Sequence, residues 1–308
     1  TNYRLHYPDY RGVEPLPTVR ERLERASKLS WAQLSQRHIA DHSQLFSRMT
    51  LDLRAPPVDM PTQQLLKQYG SGRAEYDRAL ESLYFQFGRY LLIASSRAGS
   101  LPANLQGVWN NSATPPWNAD YHVNINLQMN YWPALPTNLA ETTLPLYDFI
   151  DSLVEPGRQA ARRVSGADGW TLFLNTNVWG YTGLIDWPTA FWQPEAGAWL
   201  ASQYYEHYRY TKDERFFRER VWPVMKGAAQ YWLDTLRLDP RDGKIVVTPS
   251  FSPEHGQFTA GAAMSQQIVF ELFTNVSQAG AQLDEQEFTA KVQAALKQLD
   301  PGVRVGGW

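Results

Sequence analysis

Apolar residues recur at steps of three and four along most of this chain, and that spacing commits it to helices packed against helices. From Pro17 onward the pattern runs through Val19, Leu23, Leu29, Trp31, Leu34, Ile39, Leu45 and Phe46. Similar stretches follow at Tyr76 to Arg97, Ile125 to Leu135, Leu139 to Val164, Ala190 to Thr211, Asp213 to Leu238, Ala263 to Ala279 and Glu285 to Leu299. The pattern predicts about nine helical segments, several longer than the usual ~11–12 residues. Strand signals are few. Only Lys244 to Pro249, after the Asp242-Gly243 turn, alternates like a short hairpin strand. Thr1 to Leu16 carries Pro8, Gly12 and Pro15 without helical periodicity and reads as a connector. Some links between helices are short and polar, and others are long and rich in Pro, Asn and Trp. Helix pairs with that asymmetry predict an α/α toroid with function among its long loops. An open α-solenoid would need a fixed-period repeat, which the sequence lacks.

The 308 residues suffice for one large domain or two small ones. With 29 basic against 31 acidic residues the charges nearly cancel, so neither nucleic acid nor an anionic membrane surface is expected as a partner. No apolar stretch is long enough to span a bilayer, and no charged n-region with an apolar run opens the chain. Cysteine is absent, which removes disulfides and thiolate chemistry together. Against this neutral background the chain holds 12 Trp, 16 Tyr and 13 Phe. A single ring is best read as core filling, but aromatic clusters in loops can stack on sugar faces.

Leu101 to Pro133, LPANLQGVWNNSATPPWNADYHVNINLQMNYWP, gathers seven Asn and three Trp with Asp120 and His122. Asn and Pro suit a surface loop. A loop this long is uncommon without a function, and amides beside aromatics fit recognition of a neutral polyol. Asn124 and Asn126 stand two apart where a helical pattern begins, so an extended lead-in would point both amides to one side; one of them could equally cap the helix.

In Thr248 to His255 two prolines surround Glu254, with Phe251 and Phe258 nearby. An apolar setting of that kind favours the protonated carboxyl and suits a general acid, although a loop glutamate is more often solvated. Asp186 to Trp199 adds Trp187, placed before a proline and suited to lining a cleft, with Trp192, Trp199 and Glu195. His38 and His42 have the spacing of a zinc helix, but Ile39 occupies the place of the required Glu. No phosphate loop, dinucleotide fingerprint or nucleophile elbow is present.

These segments resemble, in order and wording, the fucosidases of glycoside hydrolase family 95. The likeness is carried by Leu101 to Gly107, by WN(x)DYHxNINLQMNYWP from Trp117 to Pro133, and by SPE from Ser252 to Glu254. It extends to Gln44–Leu53, Leu83–Arg97 and Val221–Tyr231. The resemblance implies an all-α (α/α)6 toroid of the six-hairpin glycosidase type, with 1–16 a connector from a preceding β-rich domain and 17–308 a partial catalytic domain. It implies inverting hydrolysis of terminal α-L-fucose, α-1,2-linked, from oligosaccharides or plant polysaccharide side chains. No cofactor or metal is expected, and a periplasmic or secreted location is favoured.

By the same resemblance Glu254 is the general acid, Asn124 and Asn126 hold the attacking water together with an aspartate base, and His122 and Trp187 belong to the sugar pocket. An inverting hydrolase leaves about 6.5–9.5 Å between its carboxyl groups for that water. Amide oxygens can orient water but cannot take its proton, so a carboxylate is still required. That aspartate is expected after Gly306-Gly307-Trp308, which leaves the toroid incomplete at its C-terminal end. Asn177 and Ser265 stand where relatives often carry Asp, which points to α-L-galactosides as an alternative substrate. A noncatalytic sugar-binding fragment is a further alternative. A helical scaffold contacting a protein fits amide-rich loops poorly.

Overall fold

A computed structural model describes residues 2–185, 192–254 and 256–302. The described chain is mostly helical, as the periodicity predicts, and divides into two compact units. Among the described residues no helix is long and apolar enough to cross a membrane.

The first unit comprises residues 13–103 with 130–145. It holds α1 (Leu16–Ser27), α2 (Trp31–Phe46), α3 (Thr62–Gln68) and α4 (Ala74–Ser95). The long periodic stretch after Pro17 is two helices, because Ser30 begins α2 with a reciprocal cap: its hydroxyl accepts from the Gln33 amide while its own amide donates to the Gln33 side chain. Helix α3 lies outside the predicted segments. Arg89, near the C-terminal end of α4, is 1% exposed and meets carbonyls where α2 ends. Its guanidinium donates to the carbonyls of Phe46 (2.7 Å), Met49 (2.8 Å) and Leu45 (3.1 Å). The buried cation is therefore met by the negative end of a helix through its two terminal nitrogens, while its Nε has no partner among the described residues.

The second unit comprises residues 3–12, 104–129 and 146 onward. After α5 (Asn126–Tyr131) and α6 (Leu144–Ala160) come α7 (Ala196–Thr211), α8 (Trp222–Thr235), α9 (Ala263–Gly280) and α10 (Gln286–Gln298). Helix α5 is shorter than predicted, since Pro133 and Pro136 bring no amide hydrogen to continue it. Helices α7, α8 and α9 pack on one another, and α10 packs on α9. Two short antiparallel ladders complete the unit: β1 (Tyr121–His122) with β2 (Asn175–Thr176), and β3 (Arg237–Leu238) with β4 (Ile245–Val246). The second is the hairpin expected after Asp242-Gly243, with Gly243 at φ 75° in its turn. Residues 3–12, predicted as a connector, form a small bridged loop in which Tyr3 and Tyr10 set their rings edge-on to Trp179.

At the centre of this unit Trp170 is 1% exposed, and three glycines on three helices make room for its indole. A β-carbon at Gly157 of α6 would lie 3.0 Å from the ring, at Gly197 of α7 3.1 Å, and at Gly227 of α8 2.8 Å. The indole N–H donates to the Val224 carbonyl at 2.9 Å, so the buried polar edge is satisfied.

This packing separates two kinds of helical glycine. Gly227→Ala should destabilise the protein by about 1–3 kcal/mol through overpacking, outweighing the better helix propensity of Ala. Gly88→Ala in α4, where nothing lies within 4 Å of the added carbon, should stabilise it by about 0.5–1 kcal/mol. Denaturant unfolding of both variants measures the contrast.

Candidate active site

The segment after Trp170 runs beside two others. Val123 donates its amide to the Leu174 carbonyl at 2.7 Å, and β1 pairs with β2 so that Tyr121 faces Thr176 and His122 faces Asn175. On the other side Leu172 bridges to Glu195 in parallel, and the Thr171 hydroxyl donates to the Pro194 carbonyl at 2.7 Å. Residues 120–124, 171–177 and 193–196 thus form one neighbourhood.

A cleft of about 400 Å³ opens there, lined by Asn104, Trp117, Asp120, His122, residues 175–177 and Trp179, among others. Its two indoles are largely exposed, Trp117 at 68% and Trp179 at 59%. Asp120 accepts from His122 Nδ1 at 2.5 Å through one oxygen and from Asn175 Nδ2 at 2.8 Å through the other. Among the described residues, several buried side-chain atoms of the neighbourhood have no hydrogen-bond partner: Asn124 Oδ1, Asn175 Oδ1, Thr176 Oγ1, Glu195 Oε1 and both amide atoms of Gln193. Such atoms are costly unless water or a ligand satisfies them, and of the residues that bear them Asn175 and Thr176 line the cleft.

Glu254 sits on a loop closed at its neck by two backbone hydrogen bonds between Ser250 and Thr259, of 2.7 and 2.8 Å. The loop is linked to the neighbourhood through Trp192, whose indole N–H donates to the Pro249 carbonyl at 3.0 Å while its ring meets both Phe258 and Phe173. Below the neck, Ser250 donates to Ser265 at 2.8 Å, and Ser265 hydrogen-bonds in turn to Glu195.

A sequence profile of the glycosyl hydrolase family 95 catalytic domain matches residues 30–308. The chain belongs to glycosyl hydrolase family 95. It is 38% identical over 313 residues to a protein named probable alpha-fucosidase A from Aspergillus niger, covering 97% of this chain and 39% of that one. It is 37% identical to alpha-L-fucosidase 2 of Arabidopsis thaliana, covering 94% of this chain and 36% of the relative. The chain therefore spans less than two fifths of the length of these relatives. Among solved structures, a putative kojibiose phosphorylase from the human microbiome superposes with a TM-score of 0.66 over 95% of this chain and 39% of its own, at 14% identity. That likeness is one of fold.

Within this family 95 chain the expected site residues are distributed unevenly. His122 lines the cleft. Asn124 and Asn126 follow it, both half-buried, but the strand ends at His122 and the chain turns before α5 begins at Asn126, so the extended lead-in expected there is absent. Trp187 lies outside the described residues. Glu254 is exposed: Phe251 is buried, but Phe258 is 45% exposed, so the apolar enclosure expected around the carboxyl is not formed among the described residues. Trp117, Trp179 and Asn175 are cleft residues that the sequence reading did not single out as ligands.

Glu195 has the opposite environment. It is 1% exposed at the start of α7, and burial pushes its carboxyl up to about 7 from 4.5, against hydrogen bonds from Ser265 and its own amide that favour the charge. A raised acid takes up a proton on folding, so its cost is absent below 4.5, grows as pH rises toward 7, and is fully present above. The interval corresponds to at most about 3 kcal/mol. Glu195→Gln should therefore gain stability relative to the parent protein between pH 5 and 8, by a difference of order 1–3 kcal/mol. Thermal melts across that range measure it. A pH-independent offset would show that the carboxyl does not titrate there.

Proposed function

We propose that this chain carries the acid side of an inverting α-L-fucosidase site, acting on terminal α-1,2-linked fucose in oligosaccharides or polysaccharide side chains. The observation that carries the reading is family membership over 30–308 together with 37–38% identity to proteins named as fucosidases. In this reading the helices are part of an (α/α)6 toroid of the six-hairpin glycosidase type, 1–16 is a connector, and 17–308 is part of the catalytic domain.

Glu254 gives its carboxyl proton to the glycosidic oxygen as the C1–O bond breaks, and water attacks C1 from the opposite face. Asn124 and Asn126 orient that water through their amide oxygens, and His122 and Trp187 hold the sugar. Exposure of Glu254 on its loop leaves it open to a glycan, whose own bulk would desolvate the carboxyl on binding. The water's second proton needs a carboxylate. Asp120 has both oxygens engaged by side-chain donors, and Glu195 is buried and neutral up to about pH 7, so neither suits the role. The base is therefore assigned to a carboxylate outside the described residues.

In the protein at its natural length, Glu254→Gln should lower release of fucose from an α-1,2-fucosylated oligosaccharide by about 10²–10⁴-fold. Hydrolysis of α-L-fucosyl fluoride, whose leaving group needs no proton, should recover most of that loss. Near-normal turnover of the oligosaccharide would refute the acid assignment. Parallel rates on α-L-fucosyl and α-L-galactosyl fluorides decide between the two sugars.

A further inference from the structure

Three successive residues before Asp120 lie in the left-handed region: Trp117, Asn118 and Ala119, at φ 49°, 55° and 52°. None is a glycine, and each such residue costs about 1–2 kcal/mol. A run of this kind persists only where surrounding contacts over-determine it, and such runs gather at functional sites. Here the run ends at Asp120, whose amide donates to the Trp117 carbonyl at 3.2 Å and whose carbonyl accepts from the Leu105 amide at 3.2 Å. The strained turn is thus fastened at its exit, and what it delivers is one carboxylate.

That carboxylate has no freedom left. An ionised Asp only accepts, so Asn175 must face it with its NH2, and the direction of the Asn175 amide follows from the bond. By the same argument His122 must carry a proton on Nδ1 to donate to Asp120. In the neutral ring the remaining nitrogen, Nε2, then holds a lone pair. His122 lines the cleft, and the exposed Trp117 ring stands edge-on to it at 6.3 Å.

We propose that Asp120, held through its second oxygen by Asn175, is a positioning residue that keeps His122 in the Nδ1–H tautomer and so presents the Nε2 lone pair to a donor hydroxyl of a glycan in this cleft. The choice of a hydroxyl as ligand rests on the glycosidase reading above; the tautomer does not. Both oxygens of Asp120 are engaged by side-chain donors, so its role in this cleft is exerted through His122, and its removal changes which ring nitrogen is protonated.

The test uses 15N-labelled protein and needs no substrate for its first arm. In its neutral form the His122 ring should show a single Nδ1–H tautomer. Asp120→Asn should mix the tautomers or invert them, and Asn175→Ala, which removes the donor to the second oxygen of Asp120, should do so in part. A parent spectrum dominated by Nε2–H, or an unchanged one in Asp120→Asn, overturns the proposal. If Asp120→Asn fails to fold, Asn175→Ala carries the same readout. The second arm measures affinity for an α-1,2-fucosylated oligosaccharide, which should fall at least about tenfold in Asp120→Asn while the thermal midpoint of the free protein stays near that of the parent; a loss of affinity that only follows a loss of folded protein overturns the positioning role. If the tautomer behaves as stated and the parent protein binds no fucosylated glycan, the fucosidase reading fails and the positioning of His122 stands.

Discussion

The second unit depends on one indole. Trp170 is a bulky side chain in a place where three helices converge, and they converge only because Gly157, Gly197 and Gly227 offer no β-carbon to it. Burial of so large a ring is worth several times what any one of the surface ion pairs contributes. It also has a direction. The amide of Trp170 donates to the Gly227 carbonyl and that of Thr171 to the Gly157 carbonyl, both at 3.2 Å, so the chain leaving the indole is already aimed. Everything that lines the cleft from 172 to 179 inherits that aim, and β1 takes its register from it.

On this frame three carboxylates meet three environments and acquire three characters. Asp120 is bonded on both oxygens and orients. Glu195 is sealed from water and holds its proton to about pH 7. Glu254 projects on an exposed loop, tied to the frame through the neck at Ser250 and Thr259, the Ser250–Ser265 hydrogen bond and the Trp192 contacts. Composition cannot distinguish these residues. Environment does, and each environment follows from where the backbone is held rather than from the residue beside it.

Much of the helical order is readable from apolar spacing, because α4, α9 and α10 each bury one face, whereas α7 is buried nearly all round. What escaped is instructive. Helix α3 buries only Leu65, so it offers no periodic stripe to detect. Gly157, Gly197 and Gly227 read as weaknesses in their helices, since propensity sees each alone and not the shared indole. The Asp120–His122 pair carried a signal, as two residues in a strand-like stretch separated by one share a side. Asn175, fifty-five residues away, carried none: only the β1–β2 pairing brings it there. The extended placement expected for Asn124 and Asn126 is not formed, because the strand that suits it stops at His122 and the turn into α5 intervenes.

The same amides that suit a neutral, hydroxyl-rich ligand are a liability before it arrives. Among the described residues, Asn124, Asn175, Thr176 and Gln193 keep buried polar atoms without hydrogen-bond partners, and each such atom costs about 1–3 kcal/mol unless water or ligand meets it. The left-handed run at 117–119 adds to that cost. A local loop could not sustain both. They persist because the stretches bearing them are stitched to a segment fixed by Trp170, so the apolar centre stabilises polar geometry several residues away. Cleft and core are therefore one design problem: loosening the glycine seat of the indole should relax the carboxylate and its histidine before it unfolds the helices, since the ladder of β1 and β2 is only two residues long and has little stability of its own.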